Sequence, residues 1–220
     1  MTLEAVELQT GDDPRWTVLW LHGLGADGHD FEPIVPELVA PDWPALRFVF
    51  PHAPVRAVTI NGGMRMRAWY DIRDADLANR ADAIGVAQSV LQVEQLIARE
   101  RERGVPASRI LLAGFSQGGA VTLATALQRQ TPLAGLIALS TYLPEIAQAR
   151  ARLVDGAQRQ PLFMAHGSQD PVVPVAAGRT SAQALRELGF DVQWHEYPMQ
   201  HQVCAQEIAD LRDWLGARLA

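Results

Sequence analysis

Short apolar runs alternate with longer amphipathic stretches along the chain. Six runs have the length and composition of buried strands: residues 17–21, 46–50, 109–113, 133–139, 161–165 and 192–197. Segments of helical length lie between them, and this alternation is typical of a mostly parallel sheet covered by helices. The pattern therefore predicts an α/β fold.

Helical periodicity is clearest over residues 83–103, and Gly104 ends the predicted helix. A stripe facing the core is predicted along this helix, formed by Ile84, Ala87, Leu91, Glu94 and Ile97. Further helices are predicted over residues 120–127, 176–188 and 203–219. Residues 53–81 follow no regular period and contain a turn signal at 61–63, so this segment is a candidate border of a site.

The composition fits a globular protein and excludes several classes of chemistry. A chain of 220 residues with 48% hydrophobic residues is expected to form one domain, residues 1–220. The net charge of −6 and the lack of a basic cluster argue against a nucleic-acid partner. All 19 basic residues are arginine, so a Schiff-base lysine, a Ser-Lys pair and a P-loop lysine are excluded.

Metal and membrane roles find no support in the residue pattern. Cys204 is the only cysteine and no Cys/His spacing suits zinc, so neither a metal nor another cofactor is expected. No apolar run approaches the roughly 20 residues that span a bilayer, so we expect no stable membrane insertion and a cytoplasmic location. A homodimer is left open.

Residues 114–118 read Gly-Phe-Ser-Gln-Gly and lie between a predicted strand and a predicted helix. A serine in such a sharp turn needs small neighbours, which Gly114 and Gly118 provide. This arrangement is typical of a nucleophile elbow that exposes the hydroxyl of Ser116. The alternative is a plain glycine-rich connection.

A serine nucleophile needs a histidine base, and three histidines follow Ser116. His195 lies within a strand and His166 ends one, so structural roles are favoured for both. His201 lies in the loop after the last strand, at the sheet edge where α/β proteins place their ligands. We therefore predict that His201 is the base.

An acid must orient the base, and Asp170 is the candidate because it follows the strand of residues 161–165. Its rival, Asp191, starts a strand and so lies at the opposite edge of a parallel sheet. A simple turn role before Pro171 is the other interpretation of Asp170. The order serine, acid, histidine favours the catalytic interpretation.

An oxyanion needs two N–H donors, one of them from the residue after the nucleophile, Gln117. The second donor is expected from the glycine-rich residues 21–28 that follow the first predicted strand. Residues 23–28 also match the dinucleotide fingerprint G-x-G-x-x-G. That interpretation is disfavoured because residues 51–54, after the second strand, contain no acidic residue for a ribose.

Five segments together resemble the carboxylesterase and acyl-protein thioesterase family: residues 21–28, 68–72, 114–119, 166–170 and 197–201. The resemblance runs nearly end to end and implies an α/β-hydrolase fold with a minimal cap. It also implies a triad of Ser116, Asp170 and His201 and an oxyanion hole formed by the N–H groups of Leu24 and Gln117. One departure is Gln200, where relatives often have glycine.

The resemblance further implies that the loop around Trp69 borders the acyl pocket. The apolar candidates for its wall are Leu24, Phe31, Met66, Trp69, Tyr142 and Val172. With little room for a separate lid, a shallow or open pocket is expected.

The predicted function is a serine carboxylesterase that hydrolyses short- to medium-chain acyl esters through an acyl-enzyme. Its substrate would be a small-molecule or lipid-derived ester or thioester. Acyl-protein thioesterase and lysophospholipase activities need the same machinery and remain alternatives. Three other classes are disfavoured. A peptidase would need a peptide-binding groove, and a non-catalytic module would typically have lost a triad residue. A metal-dependent hydrolase would need metal ligands.

Overall fold

One seven-stranded sheet organises the protein, in a computed structural model that describes residues 3–74 and 81–219. The strands are β1 (Ala5–Gln9), β2 (Trp16–Leu21), β3 (Leu46–Pro51), β4 (Val55–Val58), β5 (Met64–Arg67), β6 (Ile110–Phe115), β7 (Gly135–Leu139), β8 (Leu162–Gly167) and β9 (Val192–Tyr197). The helices are α1 (Val35–Leu38), α2 (Ala83–Glu102), α3 (Gln117–Leu127), α4 (Ala149–Arg152), α5 (Val175–Glu187) and α6 (Ala205–Leu219).

The strand order in the sheet is β1-β3-β2-β6-β7-β8-β9. Every neighbouring pair is parallel except β1 with β3, so the predicted α/β architecture is confirmed. The carboxyl ends of the six parallel strands therefore meet at one edge, which is where such sheets bind ligands.

The core has two halves, one on each face of the sheet, because alternate residues of a strand point to opposite faces. Leu19, Leu21 and Leu112 pack on one face with α2 and α3. Val18 and Leu111 pack on the other face with α1 and α6. Most central strand residues are thus buried on both faces, which is why these strands read as continuous apolar runs.

The stripe predicted along α2 is wrong except at Ile97, which is buried. Ile84 and Leu91 are 69% and 65% exposed, and Ala87 is exposed as well. The buried face is offset by one position toward the start of the helix and contains Val86, Val90, Val93 and Leu96, together with Ile97. The buried face of α2 is positioned by the packing of Gly85 against Tyr70. A Cβ at Gly85 would lie 3.0 Å from the Tyr70 Cβ.

A buried carboxylate fixes the far end of α2. Glu100 is 0% exposed and accepts hydrogen bonds from Thr17 Oγ1 (2.9 Å), Arg47 Nη1 (2.9 Å) and Arg103 Nη1 (3.0 Å). These bonds offset the cost of burying the charge. They also connect α2 to β2 and β3.

Other predicted boundaries shift by a few residues. The strand predicted over 133–139 begins at Gly135, that over 161–165 extends to Gly167, and the last helix begins at Ala205. The irregular segment 53–81 contains the β4–β5 hairpin, with residues 75–80 outside the described part. Within residues 3–74 and 81–219, no helix combines the length and apolar content needed to cross a bilayer.

A second buried carboxyl, Glu207, lies in the first turn of α6 and is 1% exposed. Burial raises the pKa of Glu207 to about 8, against a smaller lowering by the backbone N–H of Cys204. Neither carboxyl oxygen has a well-formed hydrogen bond to a described residue. The folded protein therefore holds Glu207 protonated near neutral pH.

This environment predicts a pH-dependent loss of stability. The folded state binds a proton that the unfolded state releases near its ordinary pKa of 4.5, so stability falls as pH rises from about 4.5 toward 8. Glu207→Gln removes this loss, and we expect its melting temperature to exceed that of the wild type by roughly 3 °C or more at pH 8 and by less at pH 5.

The matched control is Glu102→Gln, which changes an exposed carboxylate of α2. A thermal-melt difference between Glu207→Gln and wild type that does not grow between pH 5 and pH 8 would contradict this account.

Candidate active site

Three residues from three strand ends meet at the carboxyl edge of the sheet. Ser116 follows β6, Asp170 lies in the loop after β8, and His201 lies in the loop after β9. His201 Nε2 is 2.9 Å from Ser116 Oγ, and His201 Nδ1 is 2.6 Å from Asp170 Oδ2. The structure thus joins the three residues in one chain of hydrogen bonds.

The proton positions in this chain of hydrogen bonds follow from Asp170, the acceptor at one end. Asp170 Oδ1 already accepts the backbone N–H groups of Val172 and Val173, each at 2.8 Å. A carboxylate in this setting acts as an acceptor only, so His201 Nδ1 donates to Asp170 Oδ2. His201 Nε2 is then left to accept the hydroxyl proton of Ser116.

The backbone at Ser116 is in an unusual conformation, with φ 54° and ψ −116°. A non-glycine residue held in such a region costs of order 1–3 kcal/mol. Tight packing compensates: a Cβ on Gly118 would lie 2.3 Å from the Leu21 carbonyl oxygen, and one on Gly114 would lie 2.4 Å from Gly118. Both glycines are therefore required by close backbone approach.

The loops that carry Asp170 and His201 are hydrogen bonded to each other. Ser168 N–H donates to Tyr197 O at 2.8 Å, and Gln169 N–H donates to Met199 O at 3.1 Å. A Cβ on Gly167 would lie 2.3 Å from the Gln200 carbonyl oxygen, so the loops approach closely. Gln200 is exposed and is not among the residues with positive φ, so its side chain fits at this position without backbone strain.

The residues weighed as alternatives lie elsewhere. His166 is buried below Asp170, its Nε2 donates to Val173 O at 2.8 Å, and burial lowers its pKa. The His195 ring stacks on Phe163 at 4.7 Å. Asp191 comes directly before β9, at the opposite edge of the sheet.

The two predicted oxyanion donors border Ser116. Gln117 is the first residue of α3, so its N–H has no partner within the helix. Residues 22–25 pass beside the serine, and a Cβ on Gly23 would lie 3.5 Å from Ser116 Cβ. The Leu24 N–H makes no backbone hydrogen bond within the described part of the chain.

His22 holds the loop that carries Leu24, and the sequence analysis gave it no role. Its Nε2 accepts the Ala53 N–H at 3.1 Å, so its Nδ1 carries the proton and donates to Gly23 O at 2.7 Å. Burial lowers the pKa of His22, which favours this neutral form. On the other side of Leu24, Gly25 N–H donates to Arg67 O at 2.9 Å. The only sequence signal was a histidine directly after the strand.

The Gln117 side chain, which the sequence analysis also missed, holds the segment around Trp69. Gln117 is 3% exposed; its Oε1 accepts the Trp69 N–H at 2.8 Å and its Nε2 donates to Tyr70 O at 2.7 Å. The Trp69 indole N–H donates to His22 O at 3.0 Å. Trp69 is therefore bonded to both segments that carry the predicted oxyanion donors.

The candidate acyl-wall residues differ in accessibility. Leu24 and Met66 are partly exposed, and Met66 Sδ would lie 3.8 Å from a Cβ on Gly25, beside the predicted oxyanion donor Leu24. Val172 is 46% exposed, whereas Trp69 and Tyr142 are 0% and 6% exposed. The ring of Trp69 thus becomes accessible to an acyl chain only if neighbouring side chains move.

Phe31 lies apart from this group. It packs in the half of the core opposite Trp69 and lines a cavity that His201 also lines. The structure therefore places Phe31 in different surroundings from the other wall candidates. In the described residues, no group of three His, Cys, Asp or Glu side chains has the arrangement of a metal site.

The contacts of Gln117 predict a large loss of stability in Gln117→Met. Methionine has a similar length but leaves the Trp69 N–H and the Tyr70 carbonyl buried without these partners, which costs about 1–3 kcal/mol for each group. We expect a melting temperature lower by roughly 4 °C or more. The control Gln95→Met changes an exposed glutamine of α2, and equal melting temperatures for the two variants would refute this role of the Gln117 side chain.

Known proteins resemble this chain over nearly its whole length. Residues 3–219 match the phospholipase/carboxylesterase family. Acyl-protein thioesterase 1 of Yarrowia lipolytica is 40% identical over 204 residues, covering 90% of each chain, and that of Cryptococcus neoformans is 36% identical over 216 residues, again covering 90% of each.

Solved structures show the same likeness. The crystal structure of Arabidopsis thaliana SOBER1 matches with a TM-score of 0.87 and 30% identity over 94% of this chain and 100% of that one. That of Zea mays acyl-protein thioesterase 2 matches with a TM-score of 0.85 and 26% identity over 99% and 100%. The chain belongs to the phospholipase/carboxylesterase family, and it is a serine hydrolase with the α/β-hydrolase fold.

Proposed function

We propose that the protein hydrolyses acyl esters and thioesters through a catalytic triad of Ser116, His201 and Asp170. The observation that carries this proposal is the continuous hydrogen-bonded chain from Ser116 Oγ through both ring nitrogens of His201 to Asp170 Oδ2, with distances of 2.9 and 2.6 Å. We also infer one catalytic domain over residues 1–220, since a single sheet supports all three residues.

In the acylation step, His201 Nε2 takes the hydroxyl proton as Ser116 Oγ attacks the acyl carbon. The carbonyl oxygen becomes an oxyanion, which accepts hydrogen bonds from the N–H groups of Leu24 and Gln117. Asp170 holds the ring of His201 in orientation and stabilises the imidazolium. The imidazolium then gives its proton to the leaving oxygen or sulfur as the bond to the acyl carbon breaks.

In the deacylation step, His201 takes a proton from a water molecule, whose oxygen attacks the acyl-enzyme. The second tetrahedral intermediate collapses, Ser116 regains its proton from His201, and the carboxylic acid leaves. The same donors at Leu24 and Gln117 serve both intermediates. No group beyond these residues and water is needed to balance the reaction.

Thioesters on proteins are the second candidate substrate class, supported by the relatives named acyl-protein thioesterase. The partly exposed Ser116, at the carboxyl edge of the sheet, suits an acyl group presented on a large molecule. The partly exposed Leu24 and Met66 and the exposed Val172 offer apolar surface to a short or medium acyl chain.

Ser116→Ala is expected to lower kcat for p-nitrophenyl butyrate at least about 1,000-fold, because no acyl-enzyme can form. Labelling by a fluorophosphonate probe should disappear with it. Ser108→Ala, which changes an exposed serine far from the site, should retain both properties. Full activity in Ser116→Ala, or probe labelling of another residue, would disprove the assignment.

Thioesters should be hydrolysed at least as fast as oxygen esters with the same acyl chain. A thiol leaving group, with a pKa near 8.5, departs more readily than an alkyl alcohol and needs less help from His201. The measurement is kcat/KM for butyryl and octanoyl esters and thioesters of matched alcohols and thiols. Hydrolysis of the esters without the thioesters would exclude the thioesterase candidate.

A further inference from the structure

A cleft opens beside His201 on the face of the sheet that α1 and α6 cover. It has a volume of about 380 Å³, a size typical of sites for small molecules. We call it the α1–α6 cleft; its lining includes Asp30, Phe31, Glu37, Phe115, His201 and Ile208. Among the candidate acyl-wall residues, Phe31 alone borders this cleft.

The chemistry of the proposed reaction relates this cleft to the leaving group. His201 Nε2 must hand its proton to the departing oxygen or sulfur, so that atom has to lie on the histidine side of Ser116. The oxyanion, in contrast, turns toward Leu24 and Gln117. Because His201 itself lines the cleft, a leaving group within reach of Nε2 extends into it.

The charges along the cleft are of one sign. Asp30 and Glu37 lie at its border, and neither carboxylate has an ion-pair or hydrogen-bond partner within the described residues. Neighbouring Glu32 is already paired with His29 at 2.9 Å. No arginine lines the cleft, so nothing in its lining neutralises the two carboxylates.

The titration of Asp30 agrees with an uncompensated negative site. Partial burial raises the pKa of Asp30, and the nearby charge of Asp27 raises it further. A cation bound in the cleft would supply the missing opposite charge.

The wall of the cleft offers an aromatic surface chiefly at Phe115, which is partly exposed, because Phe31 is 8% exposed and its ring stacks on that of Trp20 at 5.1 Å. The rings of Phe31 and Phe115 have centroids 5.4 Å apart, and the Phe115 ring is 4.8 Å from that of His201. Aromatic rings attract ammonium groups within about 6 Å of the ring centroid. The attraction also holds for ammonium groups that are too bulky to form a close ion pair with a carboxylate.

We infer that the α1–α6 cleft binds the leaving group and favours a small alcohol or thiol that carries a positively charged ammonium group. The inference rests on the proposed function, since it assigns one product of that reaction to the cleft. The bond from the acyl carbon to oxygen or sulfur breaks, the alcohol or thiol takes the proton from His201, and the acyl group stays on Ser116.

The experiment compares two esters that differ only in charge. Butyrylcholine carries a trimethylammonium group, and 3,3-dimethylbutyl butyrate carries the neutral tert-butyl group of nearly the same shape. We expect kcat/KM for butyrylcholine to exceed that for the neutral ester about 10-fold at low salt, and the ratio to shrink in 0.5 M NaCl.

The double variant Asp30→Asn/Glu37→Gln should lower this ratio about 5-fold or more, toward one. The control Asp12→Asn/Glu102→Gln makes the same change in net charge at exposed positions remote from the cleft and should keep the wild-type ratio. Because each ratio is measured on one enzyme preparation, partial misfolding of a variant cancels.

Two results would overturn the inference while leaving the proposed function intact: a wild-type ratio of one or less, or a ratio that the cleft variant leaves unchanged. The inference would also be overturned if the cleft variant changed the preference for acyl-chain length and left the preference for leaving-group charge unchanged. The cleft would then hold the acyl chain. Inactivity of the wild type on both esters and on p-nitrophenyl butyrate would refute the proposed function itself.

Discussion

The close approach of two backbone segments around Ser116 is the constraint on which the site depends. The turn after β6 passes so near to Leu21 and to its own glycines that no side chain fits at Gly114 or Gly118. This packing holds Ser116 at a positive φ and starts α3 at the next residue. The orientation of the hydroxyl and the position of the Gln117 N–H are therefore consequences of one steric arrangement.

Much of the site could be predicted because a parallel sheet brings its strand ends together. Ser116, Asp170 and His201 are up to 85 residues apart in sequence, yet each follows a strand whose apolar run is easy to recognise. Once the strands and their order are known, the three residues must share one edge. Their roles in catalysis remain predictions, but their meeting is a matter of topology.

What the sequence did not reveal depends on long-range polar contacts. The side chains of Gln117, His22 and Glu100 are buried, and a pattern of apolar and polar letters treats such residues as surface. Each has a partner 31 to 83 residues away, and no local signal marks such a contact. The same weakness misplaced the predicted buried face of α2, because Glu100 lies in the core and Leu91 does not.

The contacts of Trp69 make the acyl side and the oxyanion loop one hydrogen-bonded unit. Its backbone N–H is held by Gln117 and its indole N–H by His22, and these two residues also carry or position the predicted oxyanion donors. A change in the wall that displaced Trp69 would therefore reach the reacting carbonyl. Under the proposed function, residues that set substrate preference and residues that set rate are thus difficult to change independently.

The place of β9 at the end of the strand order has a consequence for how the protein loses activity. An edge strand has one neighbour, so its ladder opens at a lower free energy than that of a central strand. His201 follows β9, whereas Ser116 follows the central strand β6. With His201 as the proposed base, local opening of β9 under mild heat or denaturant would separate the histidine from Ser116 and Asp170 while most of the sheet is still folded, and inactivation would be an early, local and reversible event.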